Sequence, residues 1–171
     1  RDLSGSGRPI GAREKGKHMS EALSEHIERR RRELGSRVTV MGHHYQADEV
    51  IAHTDLRGDS LELARKTMEV PSEHIVFCGV YFMAESSALL ARPGQKVHLP
   101  EPSAECSMAL MSDPVAVDAV LRRLTENGRK VTPLTYVNST LGVKGVVGAY
   151  GGSVCTSSNA RTMLRWAFDQ G

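Results

Sequence analysis

Residues 74–91 read HIVFCGVYFMAESSALLA. The first seven, His74 to Val80, are apolar nearly throughout, as a strand buried on both faces of a parallel sheet should be. Phe82 to Ala91 follows as a helix, and Pro93-Gly94 stops it. Lys96 to Leu99 is a further short strand. Upstream, Arg37 to Met41 (RVTVM) is a β run closed by Gly42. Ala47 to Asp55 reads as helical, and so does Asp59 to Glu69, with Leu61, Ala64 and Met68 on one face. Asp59, with Glu62 three residues on, has the form of a capping box. This β-α-β-α-β rhythm predicts an α/β fold, with a parallel sheet between helix layers. Ahead of it, Ser20 to Leu34 reads as a helix whose thin apolar stripe is Leu23, Ile27 and Leu34. Arg29 to Arg32 lie in its last turns, where cations suit the helix dipole.

The pattern then repeats. Asp113-Pro114 starts a helix, a capping aspartate followed by proline at the first helical position. Val117, Val120, Leu121 and Leu124 fall on one face, and Asn127-Gly128 ends the helix. Lys130 to Val137 is expected as a strand and Thr140 to Val147 as a helix. Gly148 to Gly152 is expected as a flexible loop, Ser153 to Thr156 as a short strand, and Asn159 to Phe168 as the last helix. A sheet of two strands buries its faces poorly. The sequence therefore reads as a piece of a longer protein, opening on Arg1 and ending just after a helix. The expected division is a disordered lead-in (1–18), a first three-layer α/β/α domain (19–105) and a partial second one (106–171).

The chain has 171 residues, 40% of them hydrophobic and 5% aromatic, enough for a core. Its net charge is +2, which argues against nucleic acid as the main partner. No apolar run approaches the ~18 residues of a membrane span, and the start is not a signal peptide. Three cysteines do not make a disulfide framework, so a cytoplasmic setting is expected. Neither GxGxxG nor GxxxxGK[ST] occurs, which removes the usual nucleotide-binding signatures.

In a parallel α/β sheet, ligands gather beyond the carboxyl ends of the strands. Five polar clusters are expected there: residues 42–46 (GHHYQ), 58–60 (GDS), 105–108 (ECSM), 136–138 (YVN) and 156–160 (TSSNA). Ser60, Ser157 and Ser158 read first as helix caps. Two helix starts facing one cleft would also suit a dicarboxylate, through free N–H groups and the dipole. His43 or His44, beside Tyr45, suits acid/base or polarising work. Tyr136 offers a hydroxyl, and Asn138 both a donor and an acceptor. Cys78 and Cys155 lie in strands and read as inert core residues. Cys106 lies in a loop and is open to being a nucleophile, a metal ligand or neither. No CxxC pair exists, so any metal at Cys106 draws its other ligands from distant segments.

Taken in order, GHHYQADEV (42–50), GDSLELA (58–64), IVFCGVYFMAES (75–86), CSMA (106–109), YVN (136–138) and CTSSNA (155–160) resemble the quinolinate synthase family, over Val38 to Ala160. The resemblance implies three similar α/β/α domains about a pseudo-threefold axis, truncated here. It implies condensation of iminosuccinate with dihydroxyacetone phosphate to give quinolinate for NAD biosynthesis, and functional coupling to an L-aspartate oxidase. It also implies a [4Fe–4S] cluster, held by one cysteine from each domain and acting as a Lewis acid. Residue by residue, it makes Cys106 the first cluster ligand and His43 and Ser60 substrate-binding groups. Tyr45 becomes an acid/base tyrosine; Tyr136, Val137 and Asn138 hold substrate, as does Ser157. Glu105 departs from the family's usual glycine, and either bears on the cluster or turns outward. Residues 148–152 read as a short insertion. The other cluster cysteines have no counterpart in this chain, so these residues alone are expected neither to hold a cluster nor to turn over.

Two other readings compete. One is a non-catalytic α/β module that binds a small dicarboxylate or phosphate ester. The other is a hydrolase with Cys106 as nucleophile, which the lack of a nucleophile elbow disfavours.

Overall fold

The computed structural model describes residues 20–170. The expected disordered lead-in falls at residues 1–18, outside the described residues. The first helix, α1, is Glu21–Leu34, capped by Ser20, whose hydroxyl accepts from the Leu23 N–H. A short 3₁₀ turn, Gly35–Arg37, leads into β1, Val38–His43. Then follow α2 (Asp48–Ile51), β2 (Leu56–Gly58), α3 (Ser60–Thr67), β3 (His74–Cys78), α4 (Tyr81–Leu90) and β4 (Lys96–His98). The second half holds α5 (Pro114–Thr125), β5 (Leu134–Tyr136), α6 (Leu141–Ala149), β6 (Ser153–Cys155) and α7 (Ala160–Asp169).

The strands form two parallel sheets, one of four strands in the order β2-β1-β3-β4 and one pairing β5 with β6. Thr39 lies opposite Ile75 and Met41 opposite Phe77, so these side chains share one face of the larger sheet. Helices α3 and α4 cover that face with Leu63, Ala64, Phe82 and Met83, all buried. Thr67 hydrogen-bonds Ser87 there and donates to the Leu63 carbonyl at 3.2 Å, so both hydroxyls are satisfied inside the core. Ala109 and Val137 belong to the same buried cluster, which joins the second half to the first.

Several expectations are corrected. The strand at 74–80 is not buried on both faces: Ile75 and Phe77 are buried, whereas His74, Val76 and Cys78 are half-buried. The helix expected over 47–55 is a single turn. Thr54 Oγ1 bonds back to the Ile51 carbonyl at 2.8 Å. Asp55 then turns into the sheet, its N–H donating to the Val40 carbonyl and its carboxylate accepting the Val40 N–H, each at 2.7 Å. The three residues after it become β2, too short to show a period of two. Gly42 extends β1 rather than closing it, and a Cβ there would lie 2.5 Å from Thr54 Cγ2. The strand expected over 130–137 shortens to Leu134–Tyr136, because its partner β6 spans only Ser153–Cys155; the Pro133 carbonyl and the Val137 N–H close the pair at its two ends, at 3.1 and 2.8 Å. Residues 148 and 149 finish α6, and the rest of the expected loop is a tight turn. Gly151 has φ 72°, and a Cβ on Gly152 would meet the Pro133 carbonyl at 2.1 Å.

Candidate functional site

β1 ends at His43, and its sequel His44-Tyr45-Gln46 folds over the strand ends. The Gln46 N–H donates to the His43 carbonyl at 2.9 Å, closing a turn. His44 is pinned by Gly58, whose carbonyl accepts its backbone N–H at 3.2 Å and its Nδ1–H at 3.1 Å. The two imidazoles stack, with centroids 4.5 Å apart, and Tyr45 sits edge-on to both. His43 is 7% exposed, whereas Tyr45 is 85% exposed. His43 Nδ1 accepts the Tyr45 N–H at 3.4 Å, which leaves the ring proton on Nε2. Burial, reinforced by the neighbouring His44, pushes the His43 pKa below the ordinary histidine value, against the pull of Asp59. His43 is therefore a neutral hydrogen-bond donor near pH 7.

A cavity of about 540 Å³ opens beneath this turn, in the size range of small-molecule sites. His43, His44, Tyr45, Ser60, Cys106, Tyr136, Val137, Asn138 and Ser157 all line it. Segments from five separate stretches of sequence thus meet at the carboxyl ends of β1, β5 and β6. Tyr136 and Ser157 share a hydrogen bond of 2.7 Å between their hydroxyls. The Asn138 amide donates to Cys106 Sγ at 3.6 Å. Cys106 is half-buried and free, as are Cys78 and Cys155. Burial raises the Cys78 thiol pKa, in keeping with an inert thiol. Glu105 is exposed and turns away from the cavity.

The capping box expected at Asp59 and Glu62 forms, whereas the serines read as helix caps do not cap. Asp59, not Ser60, caps α3: its carboxylate accepts the Leu61 and Glu62 N–H groups at 2.9 and 2.8 Å. The Glu62 side chain reaches back to the Asp59 N–H, completing the capping box. Two of the amides expected to attract an anion are thus already covered by a carboxylate. What this helix start offers the cavity is the 8% exposed Ser60. At α7 neither Ser157 nor Ser158 is a cap. Ser158 pairs with Thr156 Oγ1 at 2.9 Å, and Asn159 Oδ1 accepts the Thr156 N–H at 2.7 Å. The first turn of α7 carries no side-chain cap. His44 was only half-legible in the sequence: its neighbour's chemistry was visible, but its two hydrogen bonds to the Gly58 carbonyl depend on β2, a strand too short to predict.

Among the described residues, no three histidine, cysteine or acidic side chains are grouped to hold a metal ion. Of the three free cysteines, Cys106 is the one that lines the cavity, where its sulfur accepts the Asn138 amide N–H.

A parallel α/β protein with hydroxyl, amide and imidazole groups around one cavity at its strand ends belongs to the class that handles a small polar ligand there. The family model described as quinolinate synthetase A protein matches residues 25–171, and the chain belongs to that family. It is 46% identical over 151 residues to a quinolinate synthase of Herpetosiphon aurantiacus, covering 86% of this chain and 40% of that protein. Against the quinolinate synthase of Corynebacterium glutamicum it is 48% identical over 157 residues, 88% of this chain and 40% of the relative. Against that of Streptomyces coelicolor it is 50% identical over 141 residues, 81% and 36% respectively. The chain spans about two-fifths of the length of these curated relatives.

Proposed function

We propose that this chain forms part of a cytoplasmic quinolinate synthase, joining iminosuccinate to dihydroxyacetone phosphate with release of phosphate and water. The observation that carries the reading is the single cavity shared by Cys106, His43, Tyr45, Ser60, Tyr136, Asn138 and Ser157. Family membership supports it. In this reading the Ser60 hydroxyl and the Tyr136–Ser157 pair bind the carboxylates of the four-carbon substrate. Val137 forms part of the same wall, and Asn138 donates to substrate oxygen through the amide proton that Cys106 leaves free. Neutral His43 donates from Nε2 and supplies or holds a proton there. Tyr45, on the exposed turn, is the group able to leave solvent and bring its phenol over the bound substrate. Cys106 would hold one iron of a [4Fe–4S] cluster, which when bound supplies an open Lewis-acid site. Among the described residues, no group of three histidine, cysteine or acidic side chains completes such a site around it. An L-aspartate oxidase would supply the iminosuccinate.

The test is quinolinate formation by the anaerobically reconstituted full-length protein, given both substrates. Quinolinate detected by mass spectrometry supports the reading. A four-carbon dicarboxylate that binds without any quinolinate appearing would favour the non-catalytic binding module instead.

A further inference from the structure

The FMAES stretch of α4 supplies Met83 to the cavity wall, and its remaining residues face elsewhere. Yet α4 meets both segments that bring Asn138 and Cys106 together. At its start, the Tyr81 N–H donates to the Ala104 carbonyl at 2.8 Å, two residues before Cys106. One turn on, Glu85 Oε2 accepts the Leu141 N–H, the first of α6, at 3.2 Å. Ser86 Oγ donates to the Phe82 carbonyl at 2.8 Å, which turns its lone pair toward Lys144 Nζ at 3.1 Å. The same ammonium donates to the Ser139 carbonyl at 2.7 Å and lies 5.1 Å from the centre of the Phe82 ring.

Ser139 directly follows Asn138 and is buried. Its hydroxyl donates to the Tyr136 carbonyl at 2.8 Å and its N–H to the Val137 carbonyl at 2.9 Å. The turn that presents Asn138 is therefore closed on itself and held from outside by one cation. Burying an ammonium costs free energy unless its protons are met. Burial does lower the Lys144 pKa below the ordinary lysine value, with the Glu85 carboxylate opposing. A side chain needed only to fill this space would be better apolar.

We propose that Lys144, seated on Phe82 and Ser86, is a positioning residue that sets the 136–139 turn so that the Asn138 amide meets the Cys106 sulfur. α4 is the common platform, gripping the Cys106 loop at its start and the Asn138 turn at its middle. The proposal rests on the quinolinate synthase reading only for the purpose this geometry serves: an N–H bond to a ligating sulfur tunes and orients the ligand.

The readout is the side-chain amide resonances of ¹⁵N-labelled asparagine in the full chain. These 171 residues contain three asparagines, at 127, 138 and 159. Lys144→Met is expected to move the Asn138 pair to where Cys106→Ala puts it, with the Asn127 and Asn159 pairs unmoved. Lys144→Arg, which keeps a donor for Ser139 and Ser86, restores the original position. An Asn138 pair that stays in place in folded Lys144→Met overturns the proposal. If that variant does not fold, Ser86→Ala decides: a displacement of Asn138 in the same direction supports the proposal, and none overturns it. No substrate enters this measurement, so its failure leaves the quinolinate assay untouched. Conversely, an inactive protein with the expected Asn138 response removes only the reading of function.

Discussion

His43 holds its proton on Nε2 because Nδ1 already accepts the Tyr45 N–H, and burial keeps the ring neutral. Its folded pKa lies below the unfolded value. The stability it contributes is thus fully present above the unfolded histidine pKa and is lost as pH falls through the lower folded one. Ring ¹⁵N shifts followed against pH should show His43 titrating below an ordinary histidine. His44→Asn should raise that midpoint, because the charge of His44 is one of its causes, while burial keeps it below normal. Tyr136, 39% exposed, is fixed by Ser157. Tyr136→Phe removes that bond and should weaken binding of a four-carbon dicarboxylate by about two- to twelvefold, the worth of one hydrogen bond of ~0.5–1.5 kcal/mol, read by calorimetric titration.

Helix α3 shows how far local sequence rules reach. Its capping box was legible because Asp59 and Glu62 lie within one turn of each other, and both halves of the box form. Its consequence for an anion was not legible, since the capping carboxylate occupies the very amides that the helix dipole would offer. Asp59→Ala should lower stability by ~1 kcal/mol in thermal unfolding. Asp59→Asn keeps an acceptor for the cap but removes a charge from the cavity wall, so dicarboxylate binding should tighten at low salt. β2 and the turn at 148–152 escaped the sequence for the same physical reason: both are defined by distant partners. β2 exists through Val40 and Asp55, and Gly152 packs against Pro133 from across the β5–β6 pair. The Cβ of Gly152→Ala meets backbone rather than a flexible side chain, so this change should cost about 1–3 kcal/mol in a denaturant titration.

Across the molecule, two parallel sheets share one buried cluster, and the cavity lies where their strand ends converge. The alternation of strands and helices made the fold class readable from residues 37–99. The gathering of the polar clusters at strand ends followed from the same rule. Which of them touch could not be read, because the Tyr136–Ser157 contact depends on the register of β5 against β6 and the Asn138–Cys106 contact on how the 106 loop packs beside the second sheet. α1 is tied to the first sheet by charge. Glu28 meets His53 Nδ1 at 2.6 Å and Arg31 at 2.9 Å, and Arg31 also pairs with Asp55. Hydrogen bonds from His53 and Arg31 hold the Glu28 carboxyl below the usual range. Its contribution is present above the unfolded glutamate pKa and fades as pH falls through the lower folded value. In that window, amide protection factors should fall first in α1, and Glu28→Gln should flatten that fall. Whether the Cys106 sulfur serves iron while its cavity neighbours serve substrate is decided by measuring iron per chain and quinolinate formed in the full-length protein carrying Cys106→Ser. Both are expected to be lost. A Cys106→Ser protein with a full complement of iron and an undiminished rate contradicts that assignment.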